Sequence, residues 1–514
     1  MTVLDQHDTD AFDERAGLPA AVDIAIVGSG FSGLAMAVRL KRAGHDDFVL
    51  LERGHDVGGT WRDNSYPGCA CDVPSHLYSF SFAPNPEWSS TFSPQPEIQA
   101  YLKKVAGEEG VLPHVRFGQE VEDASWDDDA QRWRLRTSGG ELTARVLLSA
   151  AGALSGPSIP DIPGLHDFEG AMFHSASWDH DHDLSDERVA VIGTGASAIQ
   201  FVPQIQPDVA ELHLFQRTPP WITPRRARPL TRIERAVYRR FPAAQRAMRG
   251  GIYWARELYA IPMLHAGLSR VIEMVGRSHL RRQVPDAELR EKLTPDYAPG
   301  CKRILISNDY LPSLAKANVD VVTDAIAEVR EHSVVTRDGR EVEVDTIIFG
   351  TGFHVTDLPI AERVRGRDGR SLAEHWDGSL EAHRGTTVAG FPNLFFLLGP
   401  NTGLGHTSVV FMAETQADYV IRALAQMRKR GAVAVEPRAE AQQTWNDSVQ
   451  ERMKRTVWTS GGCESWYIDS NGKNTTLWPD FTFRFRDALR RFDAAEYAFA
   501  PAPVEAPAEY ARAA

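Results

Sequence analysis

Two glycine-spaced loops in this chain carry the residue types that hold a phosphate. The first, in VGSGFSGLAMAVRL, sets Gly28, Gly30 and Gly33 in the pattern G-x-G-x-x-G. A β-branched run, residues 24–27, precedes it, and Leu34, Ala37, Val38 and Leu40 follow at helical spacing. A second strand pattern, FVLLE, ends in Glu52. Gly28 permits the tight turn, Gly30 lets a pyrophosphate approach the backbone, and Gly33 lets helix and strand pack closely. The helix N-terminus meets the phosphate charge, and Glu52 can accept hydrogen bonds from a ribose diol.

The second loop, VIGTGASAIQFVPQI, sets Gly193, Gly195 and Ala198 as G-x-G-x-x-A between a strand pattern at 189–192 and a helical face of Ile199, Val202 and Ile205. Counting from the first glycine, the place of Glu52 falls on Gln216 or Arg217. A carboxylate there would repel a 2′-phosphate, whereas Arg217 can hold one through charged hydrogen bonds. The first loop therefore suits an adenine dinucleotide with a free 2′-OH, and the second suits NADPH. FAD is the natural partner, because NADPH gives a hydride and a flavin accepts it.

These loops need an α/β scaffold, and the chain is long enough for it. Its 514 residues suggest about three domains, with 43% hydrophobic and 24% charged residues, a globular balance. The net charge of −13 argues against nucleic-acid binding. Cys69, Cys71, Cys301 and Cys463 are too few and scattered for a disulfide framework, and Cys-Ala-Cys is no zinc or dithiol motif. Four free thiols in a reducing cytosol, and no metal, are the expectation. The acidic N-terminus lacks the apolar core of a signal peptide, and no apolar run approaches the ~20 residues of a membrane helix. The Ala/Pro-rich C-terminus reads as a disordered tail. A cytoplasmic protein follows, with no repeats.

Between the loops lies FEGAMFHSASWDH, with Phe168, Gly170, His174, Trp178 and Asp179 in the pattern F-x-G-x-x-x-H-x-x-x-W-D. With this stretch the chain resembles the class B flavoprotein monooxygenases of the flavin-containing monooxygenase superfamily, and within them the type I Baeyer–Villiger monooxygenases. The resemblance runs from about residue 20 to 495 and includes GGTWRDNSYPGCACD, GCKRILISNDY, GTGFH and ESWYIDSNGKN. It implies FAD, NADPH and O2, and conversion of a ketone to an ester or lactone through a flavin C4a-peroxide.

The expected organisation is α/β: two Rossmann-like dinucleotide-binding domains, for FAD and NADPH, with a helical insert. An N-terminal extension covers 1–19. The FAD domain takes 20–155 and 390–495, the NADPH domain 160–225 and 300–385, the insert 226–299 and the tail 496–514. The fingerprint residues should anchor the crossing between domains, Gly170 permitting a tight path. The insert carries many arginines among apolar residues near helical spacing. It reads as the solvated face of a helical subdomain, with a membrane surface or an acidic partner as the other readings. The expected partners are a ketone and O2, with no nucleic acid and no membrane; the oligomeric state is left open.

The resemblance also implies roles. Phe31, Ser32, Thr60, Trp61, Arg62, Asp63, Asp72, Tyr78 and Val121 join the first loop's residues around FAD. Ala70, Cys71, Thr194, Gly195, Ala196, Ser197, Ala198, Gln200, Arg217, Thr218, Lys302 and Trp466 contact NADPH. A helix starting near Thr407 would aim its dipole at the flavin. Arg303 would be the fixed cation beside the anionic peroxide and the adduct, oriented by Asp72. Three alternatives stand beside this reading. One is a relative that oxygenates nitrogen or sulfur. Another is a flavin disulfide reductase, for which Cys69 and Cys71 have the wrong spacing. The third is a flavin-bound sensor, which leaves a full NADPH site unexplained.

Overall fold

A computed structural model describes residues 17–501. Most of the N-terminal extension and the end of the tail lie outside the described residues. Where a tail is expected from 496, Tyr497–Pro501 is a strand paired antiparallel with Ala432–Pro437. Its anchor is aromatic: Tyr497 stacks on Phe492 at 4.3 Å, and its hydroxyl lies 2.8 Å from that of Tyr419.

Two sheets dominate. In the first, Ala21–Val27 is central and pairs in parallel with Phe48–Leu51 on one side and Gly140–Ser149 on the other. The four residues of Phe48–Leu51 are all buried, as expected for a parallel strand covered on both faces. The helix Phe31–Arg42 packs against the long helix Val409–Arg430. Leu34, Ala35, Met36, Ala37 and Val38 are all buried, so the helix is sandwiched rather than surface-lying. The second sheet has the order Val319–Val322, Glu211–Phe215, Arg188–Ile192, Thr346–Phe349, Ala171–His174, all parallel. The molecule is thus α/β with two dinucleotide-type sheets.

Three expectations need correction. Residues 359–385 do not belong with the second sheet. Val364–Arg365 pairs with Val121–Asp127 at the edge of the first sheet, and Val364, Leu372, Trp376 and Leu380 share a core with Trp126 and Trp133. An open strand edge captured this segment, and apolar composition alone does not say which sheet it covers. Cys301 and Cys463 are not free: they form a disulfide across 162 residues. Separation in sequence concealed a fold that stacks the 298–303 turn on Gly461. Cys69 and Cys71 are free and buried. Finally, Gly170 has no left-handed backbone. It is needed for space, since a Cβ there would sit 2.1 Å from the Asp345 carbonyl oxygen and 2.6 Å from the Phe168 ring.

The fingerprint residues bracket the edge strand of the second sheet, Ala171–His174, with His174 as its last residue. His174, at the end of its strand, accepts through Nδ1 from the Ala176 amide at 3.0 Å and meets the Phe353 ring edge-on at 5.7 Å. Burial lowers its pKa. Trp178 packs on Phe173 and on Phe201 of the helix Ala198–Ile205. The 350–354 loop, against which His174 lies, in turn bonds the crossing segment: Ser158 donates to the Gly352 carbonyl, and His354 to that of Gly156, both at 2.9 Å. His174 therefore braces the crossing through an intermediate loop. Asp179 is exposed and accepts from the Asp181 amide at 3.0 Å.

Candidate active site

The first loop opens on a cavity of about 360 Å3. Gly28 has φ +98°, and a Cβ there would lie 2.7 Å from the Ala150 carbonyl oxygen. At Gly33 a Cβ would strike the Gly28 oxygen at 1.9 Å. Gly30 differs: a Cβ would find no protein atom closer than 3.8 Å, and its face looks into the cavity. Two glycines are thus required by the protein itself, and the third leaves its face open to the cavity.

Glu52 is 3% exposed at the strand end. Its Oε2 accepts from the Ser29 amide at 3.0 Å and hydroxyl at 2.7 Å; Oε1 accepts from the Gly54 amide at 2.8 Å and Arg62 Nη1 at 2.6 Å. Burial opposes its ionisation, but the Arg62 charge and these bonds hold the carboxyl below its ordinary pKa. Trp61 donates through Nε1 to the Tyr78 hydroxyl at 3.0 Å, and Tyr78 meets Phe31 edge-on at 5.0 Å. The cavity walls include Phe31, Ser32, Thr60, Trp61, Arg62, Asp63, Tyr78 and Val121. They also include Leu398–Leu404 residues and Val409, the first residue of the helix Val409–Arg430, which Ser408 caps. The helix begins two residues after Thr407. The Thr475 hydroxyl, also in the wall, is buried with no partner.

The same cavity reaches Arg303 and Trp466. Arg303 donates from Nε at 2.8 Å and Nη2 at 2.6 Å to Asp72 Oδ2. The two bonds converge on one oxygen, rather than forming a two-oxygen fork. The Asp72 charge pushes the Arg303 pKa further up. Burial resists ionisation of Asp72, yet Arg303 keeps its carboxyl below the usual range. Three residues that the sequence did not single out complete the cluster. Arg225 donates to the Cys71 carbonyl at 3.4 Å, and Arg256 to the Asp72 carbonyl at 3.5 Å. Tyr467 is buried beside Arg303, its hydroxyl pushed up to about 12 by burial, with its ring 4.3 Å from that of Trp466. No spacing rule points to any of them. Burial raises both free thiols, Cys69 to about 11, so neither is a ready nucleophile.

The second loop is more open. Gly193 has φ +107°, and a Cβ would lie 2.5 Å from the Gly350 oxygen. Gly195 and Ala196 are exposed, and the helix Ala198–Ile205, preceded by Ser197, has no side-chain cap. Thr194 Oγ1 donates to the Thr218 carbonyl at 3.2 Å. Strand register resolves the choice between Gln216 and Arg217. Ile192 pairs with Phe215 as Val27 pairs with Leu51, so Gln216 matches Glu52. Gln216 is buried and donates to the Lys292 carbonyl at 2.9 Å. Arg217, one residue on, is exposed. Lys302 lies over the Tyr297 ring, and burial and then the Arg217 charge lower its pKa. The Arg217 charge is thus felt at Lys302, although the two come from distant parts of the chain. Gln200 is committed elsewhere. Its Nε2 donates to the Ala70 carbonyl at 3.0 Å, and its Oε1 accepts from the Ala70 amide at 3.2 Å and the Tyr66 hydroxyl at 3.0 Å. It ties the Cys69–Asp72 segment to the helix Ala198–Ile205.

Known proteins share this arrangement. Residues 25–261 match the family described as pyridine nucleotide-disulphide oxidoreductase. A Baeyer-Villiger monooxygenase of Streptomyces coelicolor is 55% identical over 495 residues, covering 96% of this chain and 95% of that protein. The crystal structure of cyclohexanone monooxygenase from Rhodococcus sp. Phi1 bound to NADP+ aligns with a TM-score of 0.83 at 28% identity, over 94% of this chain and 100% of that one. OTEMO in complex with FAD and NADP gives 0.84 at 27% identity, with the same coverage. With two phosphate loops, an arginine held by a carboxylate and this degree of likeness, the chain belongs to the Baeyer–Villiger monooxygenases.

Proposed function

We propose that the protein uses FAD and NADPH to insert one atom of O2 beside a ketone carbonyl, giving an ester or lactone and water. The observation that carries this reading is the single cavity that joins the Gly28–Gly30 turn to Arg303, with Asp72 fixing the guanidinium. The residues fit the cofactors. Gly30 leaves room for a pyrophosphate, Glu52 stands in the cavity wall with its acceptor positions taken by Ser29, Gly54 and Arg62, so that a ribose diol would replace one of those donors, and Thr475, whose hydroxyl has no partner, lines the same cavity. Arg217 and Lys302, whose charges act on one another, would together suit a 2′-phosphate.

Bound flavin supplies the activation of O2 by the two electrons of NADPH. The chain supplies charge and position. Negative charge develops on the ketone oxygen as it is attacked, and Arg303 is a cation that does not lose its proton there. Asp72 sets its direction. Tyr467 and the Arg256 contact limit the movement of that pair. Trp466, half-exposed at 47%, lines the same cavity as Arg303.

The test is product analysis with NADPH and labelled O2 over cyclic, linear and aryl ketones. The reading predicts an ester or lactone carrying one labelled oxygen. Oxygenation of amines or thioethers with no ester from any ketone would favour the nitrogen and sulfur alternative instead.

A further inference from the structure

The helix Pro242–Tyr259 is apolar on its outward side as well as within. Its inward side mixes Ile252, Tyr253 and Tyr259, packed on the core, with polar side chains. Gln245 and Glu257 are 4% and 2% exposed. Gln245 donates to the Asn85 carbonyl at 2.6 Å, and Arg249 to those of His76 at 2.7 Å and Ser79 at 2.9 Å. Arg256 reaches the Asp72 carbonyl, and Glu257 accepts from Thr482. The outward residues are Ala247, Met248, Gly251, Trp254, Ala255 and Leu258, all exposed. At about 100° per residue they fall within roughly 120° of arc. No polar side chain interrupts this face. A single exposed leucine needs no explanation, but an apolar stripe over three turns marks an interaction site.

The stripe has company. Of the fourteen large apolar side chains exposed among the described residues, ten lie between Ile233 and Val275. They include Ile233 and Val237 of the helix Arg232–Arg240, and Val271, Met274 and Val275 of the helix Arg270–Gln283. This segment is also the basic part of an acidic protein. Residues 226–299 hold 15 basic and 7 acidic side chains, against −13 for the whole chain. The Trp254 ring lies tilted against that of Phe483 at 5.8 Å, and the exposed Arg484 and Arg486 follow.

We propose that this face docks the enzyme on an anionic lipid surface. Exposed Trp, Phe and Leu beside arginines suit a boundary where apolar chains lie beneath negative headgroups. A second copy fits less well, because a two-fold contact would set one net-positive segment against another. Among the described residues no helix is long and apolar enough to cross a membrane, so the docking is peripheral.

The test is co-sedimentation of the FAD-loaded full-length enzyme with vesicles of phosphatidylcholine, alone or mixed with phosphatidylglycerol. Binding to the mixed vesicles should be strong and salt-sensitive. Trp254→Ser/Leu258→Ser should weaken it by roughly tenfold or more, with flavin content and ester formation retained. Arg240→Glu/Arg246→Glu should weaken it too, and Met172→Ser, an exposed site elsewhere, should not. The proposal is overturned if anionic vesicles bind no better than neutral ones, or if both double variants bind as the parent does. It is equally overturned if the stripe variants instead dissociate a dimer, or if the face binds polyglutamate but no vesicle.

Discussion

Arg303 spans 231 positions of sequence to reach Asp72, and both of its bonds, 2.8 and 2.6 Å, end on the same oxygen, Oδ2. Such a contact fixes the guanidinium by charge and leaves its remaining N–H groups for other partners. Asp72→Asn keeps the shape and removes the charge. A hydrogen bond to a charged group contributes about 1.5–3 kcal/mol, so ester formation should fall roughly 10- to 100-fold. NADPH oxidation should continue, ending as hydrogen peroxide. Ester yield and peroxide, measured together, check this.

Gly30→Ala and Gly33→Ala should fail in different ways. At Gly33 the new methyl strikes the Gly28 oxygen, and at Gly30 it meets only the cavity. Gly30→Ala should therefore fold with near-parental Tm as apoprotein. Gly33→Ala should be unstable or insoluble. Full flavin in purified Gly30→Ala would count against the pyrophosphate assignment.

Arg217→Ala should raise the NADPH KM by roughly 10- to 100-fold and leave that for NADH nearly unchanged. The pH dependence carries a sign. The Lys302 pKa is lowered, by burial and then by Arg217, and its cation is the form that binds phosphate. Affinity for NADPH should therefore fall as pH rises, starting below the ordinary lysine range. The NADH KM should not follow, and Lys302→Arg should abolish the trend. Parallel KM profiles for the two nucleotides would sink this.

The Cys301–Cys463 bond closes a long loop and joins the turn bearing Lys302 and Arg303 to the segment bearing Trp466 and Tyr467. Closing such a loop contributes about 2–4 kcal/mol. Cys301→Ser/Cys463→Ser should lower Tm by several degrees, as should a dithiol added to the parent. An unchanged Tm in both would show that the bond does not form.

The glycine loops were legible because their chemistry is local: strand, turn, helix and Glu52 lie within about thirty residues. Register was less legible, since Gln216 and Arg217 are adjacent and only strand pairing assigns the inner position to Gln216. Long-range partners left no sequence signal. Tyr467 and Arg256 reach the Asp72–Arg303 pair only through folding, and Cys301 meets Cys463 the same way. The insert shows why periodicity can mislead. Its apolar spacing is helical, but at Pro242–Tyr259 apolar residues lie on both sides: Ile252 and Tyr253 pack on the core, beside polar side chains that bond His76, Ser79 and Thr482, while Met248, Trp254 and Leu258 face out.

The central claim is that Arg303 stabilises the oxygen-transfer step. Its most direct measurement is ester formed per NADPH consumed, parent against Arg303→Ala. The variant should fold, hold FAD and oxidise NADPH, and it should form no ester, its electrons appearing as hydrogen peroxide. Ester at near-parental coupling would contradict the account and require another cation at this site.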